Sequence, residues 1–359
     1  MLNRKKLTAR LGQLLIPLIA LALLLLFNLL RDPGFFAIKV AENSMGNKVL
    51  TGNLISIIDS ASELAIIAMG MTLVTAACGG QDISVGAVGA ISGAVFVKVL
   101  QGMGAITGPS VMLSLVACCL ATICFKLFNG TLVAVFKIQP MIATLILYSC
   151  GRSIAYWING DATPQLNSPI LSAIGMTIPG IPVPTPIFCV LLVGLLLALV
   201  FRFTNISLYT QSVGINQGAA RLNGINPTVI KLLSFVLLGV CVSVASIIGI
   251  SRLGQLNHKT LLVDIEMDAI LAVAIGGNNL GGGKFKLSGS ILGAYIIQML
   301  TTTLYAMNVA PVNVKAYKAI VIIIIVVAGS PVVKKTMASL WNRLRSTHGP
   351  ESERKEGVS

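Results

Sequence analysis

The sequence predicts an all-α, polytopic membrane protein of about ten transmembrane helices, and three observations carry that expectation. The 359 residues are 55% hydrophobic and 11% charged, where soluble domains carry about 25% charged residues. The mean hydropathy is +0.89. The apolar residues also gather in runs close to the about 20 residues a helix needs to cross a bilayer.

Arg4, Lys5, Lys6 and Arg10 precede the first run. A signal peptide would have a shorter apolar core and a small-residue cleavage site. The run is therefore read as a membrane helix, 12–30, behind an N-terminal arm of residues 1–11. The further spans are 54–77, 84–101, 110–135, 140–158, 186–203, 229–250, 264–278, 287–307 and 315–333. The eighth is short and ends in Gly276-Gly277, so a broken or re-entrant helix is expected there, tolerated where protein or water lines it. Together these form a transmembrane domain over 12–333. The basic tail, 334–359, carries no fold signal.

An even number of spans puts both termini on one side. With the termini inside, sixteen of the 26 Lys and Arg residues fall inside and seven outside, while Lys98, Lys126 and Arg152 lie within spans. The excess predicts cytoplasmic termini. The proline-rich segment 159–185 then lies outside.

The net charge of +14 does not point to nucleic acid, because the basic residues sit mostly in loops and tails and form no patch interleaved with aromatics. The partner they imply is the lipid bilayer. The seven cysteines fall in or beside apolar runs without metal-like spacing, so they are read as small buried hydrophobes. His258 and His348 are far apart, and no Ser/His/Asp order or metal spacing is present. The expectation is a non-enzyme with no cofactor and no metal.

The stretch Gly79-Gly80-Gln81-Asp82-Ile83-Ser84-Val85-Gly86 is a polar, glycine-rich loop between two apolar runs. A carboxylate there is costly unless buried in protein or facing water. Asp82 is read as capping the following helix start, where its charge suits the dipole. Gly276-Gly277, followed by Leu287-Ser288-Gly289, echoes Gly79-Gly80 followed by Ser84-Val85-Gly86. The echo reads equally as an internal repeat or as two small-residue packing seams. Gly276 to Gly283 followed by Lys284 does not make a phosphate loop: Asn278 stands where its first glycine belongs, and Phe285 where Ser or Thr would bind magnesium.

Asp59 and Glu63 share a helix face in the outer half of the second span, and Arg152 lies at similar depth in the fifth. The three either line a polar translocation path or form a structural ion pair that hides their charge, as intramembrane charges tend to do. Lys126 is read as snorkelling toward the cytoplasmic interface. In the longest interior loop, 204–228, Ala219, Ala220, Arg221 and Leu222 favour a short helix, with Gly214 and Asn216 before it and Gly224 as its stop. Such a helix suits docking of a soluble partner, although composition alone favours an ordinary connector.

These residues resemble a known family, the permease subunits of bacterial ABC-type monosaccharide importers of the ribose/galactose/xylose group. The resemblance rests on Gly70-Met71-Thr72-Leu73-Val74, on the Gly79 to Gly86 stretch, and on Met267 to Gly277 with Leu280-Gly281-Gly282-Gly283. Lys137 to Leu147 with Gly151-Arg152 looks like the galactofuranose-type permeases. Gln81 departs from the pattern, which usually has an apolar residue there. The resemblance implies that Gly214 to Gly224 docks on a separate ATPase subunit carrying ATP and magnesium. It also implies an extracytoplasmic sugar-binding protein and a second permease copy or paralogue. This reverses the preference for a mere connector. The rivals are an ABC permease for branched-chain amino acids or nucleosides, and an ion-coupled secondary transporter.

Overall fold

The computed structural model describes residues 2–42, 48–160, 162–166 and 168–329. The polar tail expected over 334–359 lies outside them. Thirteen helices and one two-stranded hairpin follow in chain order among the described residues: α1 (Leu2–Arg31), β1 (Lys39–Glu42), β2 (Lys48–Thr51), α2 (Asn53–Cys78), α3 (Val85–Gly102), α4 (Gly108–Ala134), α5 (Pro140–Asn159), α6 (Pro169–Gly175), α7 (Thr185–Phe203), α8 (Ile206–Ile215), α9 (Gln217–Leu222), α10 (Pro227–Leu253), α11 (Ile265–Ile275), α12 (Leu287–Ala306) and α13 (Pro311–Gly329). Each of the ten expected spans overlaps a helix, seven of the described helices being long and apolar enough to cross a membrane, and residues 330–333 of the last expected span lie outside the described residues. The antiparallel hairpin and α6 are additions that a search for spanning runs does not signal, since the strands have 4 residues each and α6 has 7.

Helix ends follow local chemistry. Pro140 and Pro227 occupy first turns, where a missing N–H is harmless. The α2 helix stops at Gly79 and α10 at Gly254, both in the left-handed conformation at φ of 64° and 61°. The eighth span is short, as its sequence suggests: α11 has 11 residues, about 16 Å at 1.5 Å per residue, against a hydrocarbon core of about 30 Å. The chain between α10 and α11 makes up the depth by folding inward. Leu261 packs beside Gly93 and Gly249, and Leu262 packs beside Gly89.

The α2 helix is buried almost throughout and forms the centre of the bundle, with α10 and α12 against it. Backbone-to-backbone approach replaces long side chains at its contacts. Gly70 meets the Leu238 backbone of α10, and Gly276 of the loop after α11 meets Gly289 of α12 so closely that a Cβ on either would overlap the other's main chain. Small residues serve this purpose where lipid offers no hydrophobic drive between helices. By contrast α4, α5 and α7 keep long rows of exposed Leu, Ile, Val and Phe, as lipid-facing helices do.

Candidate functional site

Four features could carry chemistry or motion. The first is the paired helices α8 and α9. Asn216 lies between them and accepts the Ala219 N–H on its Oδ1 at 3.0 Å, capping α9. Gly224 follows at φ 75°, the stop its sequence position predicts. Gly214 lies within α8 instead of preceding a single helix. Ala220 is buried against Val213 and Ile230, whereas Arg221 is exposed and Leu222 is 91% exposed. The outward face of α9 is therefore Arg221 and Leu222; Ala220 holds α9 to the bundle.

The second feature joins both glycine loops to α8. The Gly283 N–H donates to the Ala76 carbonyl at 2.9 Å. A Cβ on Gly79 would sit 2.8 Å from the Gly281 carbonyl oxygen, and one on Gly282 would sit 3.0 Å from Gly79 Cα. Gly214 closes the cluster, because a Cβ there would overlap the Ala76 oxygen and sit 2.6 Å from the Gly283 nitrogen. Gly80 lies against the Pro140 ring of α5, and Gln81 Nε2 donates to the Leu280 carbonyl at 3.2 Å. Thr72 and Ser290 share a hydrogen bond of 2.5 Å, and Asn278 Nδ2 donates to Ser290 Oγ at 2.8 Å. Gly277 adopts φ 78° beside this tether. The two loops that echo each other in sequence thus touch in space.

The third feature is a buried polar cluster at the start of α3. Asp82 Oδ1 accepts the Ser84 N–H at 2.8 Å and the Ser84 hydroxyl at 2.7 Å. The N-cap of α3 is Ser84, without a side-chain capping bond, so Asp82 closes the turn before the helix and does not cap the helix itself. Its other oxygen takes a hydrogen bond from Lys126 Nζ at 2.7 Å, with both side chains 0% exposed. Lys126 also donates to Ser84 Oγ at 3.0 Å, and Asn129 donates to the same oxygen at 2.9 Å. Lys126 therefore does not snorkel. Its stem carries the ammonium inward from α4 to the Asp82 carboxylate, which compensates its charge. Close by, the buried Glu266 lies against Gly86, where a Cβ would overlap its Oε2.

The fourth feature is a cavity of about 330 Å³ between α2, α10, α11, α12 and the inward-folded segment, with Ser60, Glu63, Arg252, Thr260, Asp268 and Gln298 on its wall. Asp59 and Glu63 do come together, but Arg152 is not their partner. Arg252 is, from Nη2 to Asp59 Oδ1 at 3.0 Å and from Nη1 to Glu63 Oε2 at 3.3 Å. Arg152 instead donates to the carbonyls of His258 at 2.7 Å and Leu261 at 3.1 Å, pinning the inward-folded segment. Asp268 receives Lys318 of α13 on both oxygens at 2.7 Å.

Sequence reasoning missed Glu266, Arg252, Asp268 and Gln298. Arg252 ends an apolar helix and falls among the outside loop charges, Asp268 sits in the Met267 to Gly277 stretch without an individual role, and Glu266 stands just before that stretch. One signal was available: Arg252, Asp268 and Glu266 are charges at the ends of apolar runs, where pairing is expected.

A family model described as "Branched-chain amino acid transport system / permease component" matches residues 53–328. The galactofuranose transporter permease protein YtfT of Escherichia coli (strain K12) is 37% identical over 87% of this chain and 88% of its own length. The fructose import permease protein FruF of Bifidobacterium longum is 34% identical over 90% of this chain and 89% of its own. The ribose import permease protein RbsC of Escherichia coli (strain K12) is 32% identical over 86% and 91%. No solved structure matches.

Proposed function

This chain belongs to the "Branched-chain amino acid transport system / permease component" family, and from that premise we propose that it is the membrane-spanning subunit of an ATP-binding-cassette importer for a monosaccharide. The family name points to amino acids. The relatives similar over nearly the whole chain are named for galactofuranose, fructose and ribose, and that favours a sugar.

The observation that carries the mechanism is the seating of α8 on the glycine junction. Leu222 and Arg221 form an exposed face for the ATPase, the partner that would bind ATP and magnesium. Closure of two ATPases would push α9, and Ala220 and Gly214 would pass the push to Ala76 and Gly283, the ends of the central helix and of the α11–α12 loop. Stiff backbone contacts of this kind suit a rigid-body switch between outward- and inward-open states. A second permease copy or paralogue would complete the pore, and a sugar-binding protein would deliver from the far side. The excess of basic residues on the α8–α9 side supports cytoplasmic termini.

The test is uptake into vesicles holding the permease and its ATPase, with the binding protein outside and ATP inside. Labelled ribose, fructose and galactose are compared with leucine and uridine. ATP-dependent uptake of one sugar is expected. Uptake of leucine or uridine alone would overturn the sugar assignment, and ion-driven uptake by the permease without partners would overturn the class.

A further inference from the structure

The cavity beside α11 holds more hydrogen-bonding capacity than the protein uses. Ser60, Thr260 and Gln298 present side chains that have no hydrogen-bond partner among the described residues. Arg252 Nε is buried without one, although its two terminal nitrogens are engaged. Buried polar groups are nearly always satisfied by protein, water or ligand. Of these four groups Arg252 Nε alone is buried, while Ser60 and Gln298 are half-buried and Thr260 is exposed, so together they form an open polar wall that suits an occupant with several hydroxyls. A volume of about 330 Å³ lies at the small end of ligand sites. Leu64 and Ile265 supply an apolar wall beside the polar one, matching a sugar ring with its C–H face and hydroxyl rim.

Charge narrows the class. Both cations near the cavity are already committed, Arg252 to Asp59 and Glu63, and Lys318 to Asp268. Arg252 is the one cation among the described residues lining the cavity, and its pairing leaves no counter-ion there for an added anion. A phosphorylated or acidic sugar would lack a counter-ion, and so would the carboxylate of an amino acid.

We propose that the cavity bounded by Ser60, Glu63, Arg252, Thr260, Asp268 and Gln298 is a binding site within this single chain for one neutral, unphosphorylated monosaccharide. The site lies on the face opposite α8 and α9. It would receive sugar before the bundle rearranges. This rests on the reading of the chain as a sugar permease.

The test uses the reconstituted transporter with labelled ribose, fructose and galactose, carrying forward whichever the parent transports. Ser60→Ala/Gln298→Leu is expected to lower uptake about tenfold, the scale of one or two lost hydrogen bonds. ATP hydrolysis stimulated by sugar-loaded binding protein should stay within about twofold, since the cavity is remote from α8 and α9. In a second measurement, Gln298→Cys is labelled with a membrane-impermeant thiol reagent against a parent background. The transported sugar should slow labelling, and its phosphate ester should not. Unchanged uptake in the double variant, or labelling that no neutral sugar slows, would overturn the site and leave only water in it. If hydrolysis also falls, the labelling result decides. A parent that transports no sugar would sink the functional reading instead.

Discussion

Lys126 Nζ lies 2.7 Å from Asp82 Oδ2, and neither side chain touches solvent. The pair joins α4 to the loop that starts α3, with Ser84 and Asn129 completing its hydrogen bonds. Deleting one member of such a pair leaves a bare charge in a low dielectric.

Lys126→Met should therefore destabilise the protein by about 3–5 kcal/mol, read as a lower melting temperature in detergent gel filtration. Lys126→Met/Asp82→Asn should recover most of the loss. A single variant as stable as the parent would show that the pair does not form.

Two arginines of similar depth should behave differently. Arg252→Gln leaves Asp59 and Glu63 side by side and should cost roughly 1–3 kcal/mol; Asp59→Asn in the same chain should relieve it. Arg152→Gln should instead free the segment around His258 to Leu261. Hydrogen exchange measured by mass spectrometry should rise there in Arg152→Gln and stay near the parent rate in Arg252→Gln. Equal rises in both would contradict the separate pairings.

Gly214→Ala places a methyl into the Ala76 carbonyl, while Gly224 has no atom within 4 Å of an added Cβ and only its φ of 75° to strain. Gly224→Ala should cost about 1 kcal/mol and keep uptake near the parent level. Gly214→Ala should break the link between ATP hydrolysis and uptake in vesicles. The junction is refuted if Gly214→Ala transports normally.

The proposed docking face divides by side chain. Leu222→Asp puts a charge on an exposed apolar anchor and should abolish co-purification with the ATPase without altering the gel-filtration profile. Arg221→Ala should weaken coupling. Ala220→Asp should unseat α9 itself and lower stability, because Ala220 is buried. Retention of the ATPase by Leu222→Asp would place docking elsewhere.

The sequence by itself determined the all-α run of apolar helices, the shortness of α11 and the stop at Gly224. Each of these depends on a run of residues or on a neighbour two or three positions away. Tertiary structure alone decided which charges meet: Lys126 with Asp82, 44 residues apart, and Arg252 with Glu63, 189 apart. Hydropathy and capping are local properties of the chain. Pairing inside a bundle instead depends on helix rotation and on backbone approach at glycines such as Gly70 and Gly276. Nothing in the run containing Arg152 distinguishes it from Arg252 as a partner for two carboxylates. The inward fold between α10 and α11 makes that choice, because it supplies carbonyls to Arg152 and leaves Arg252 facing α2.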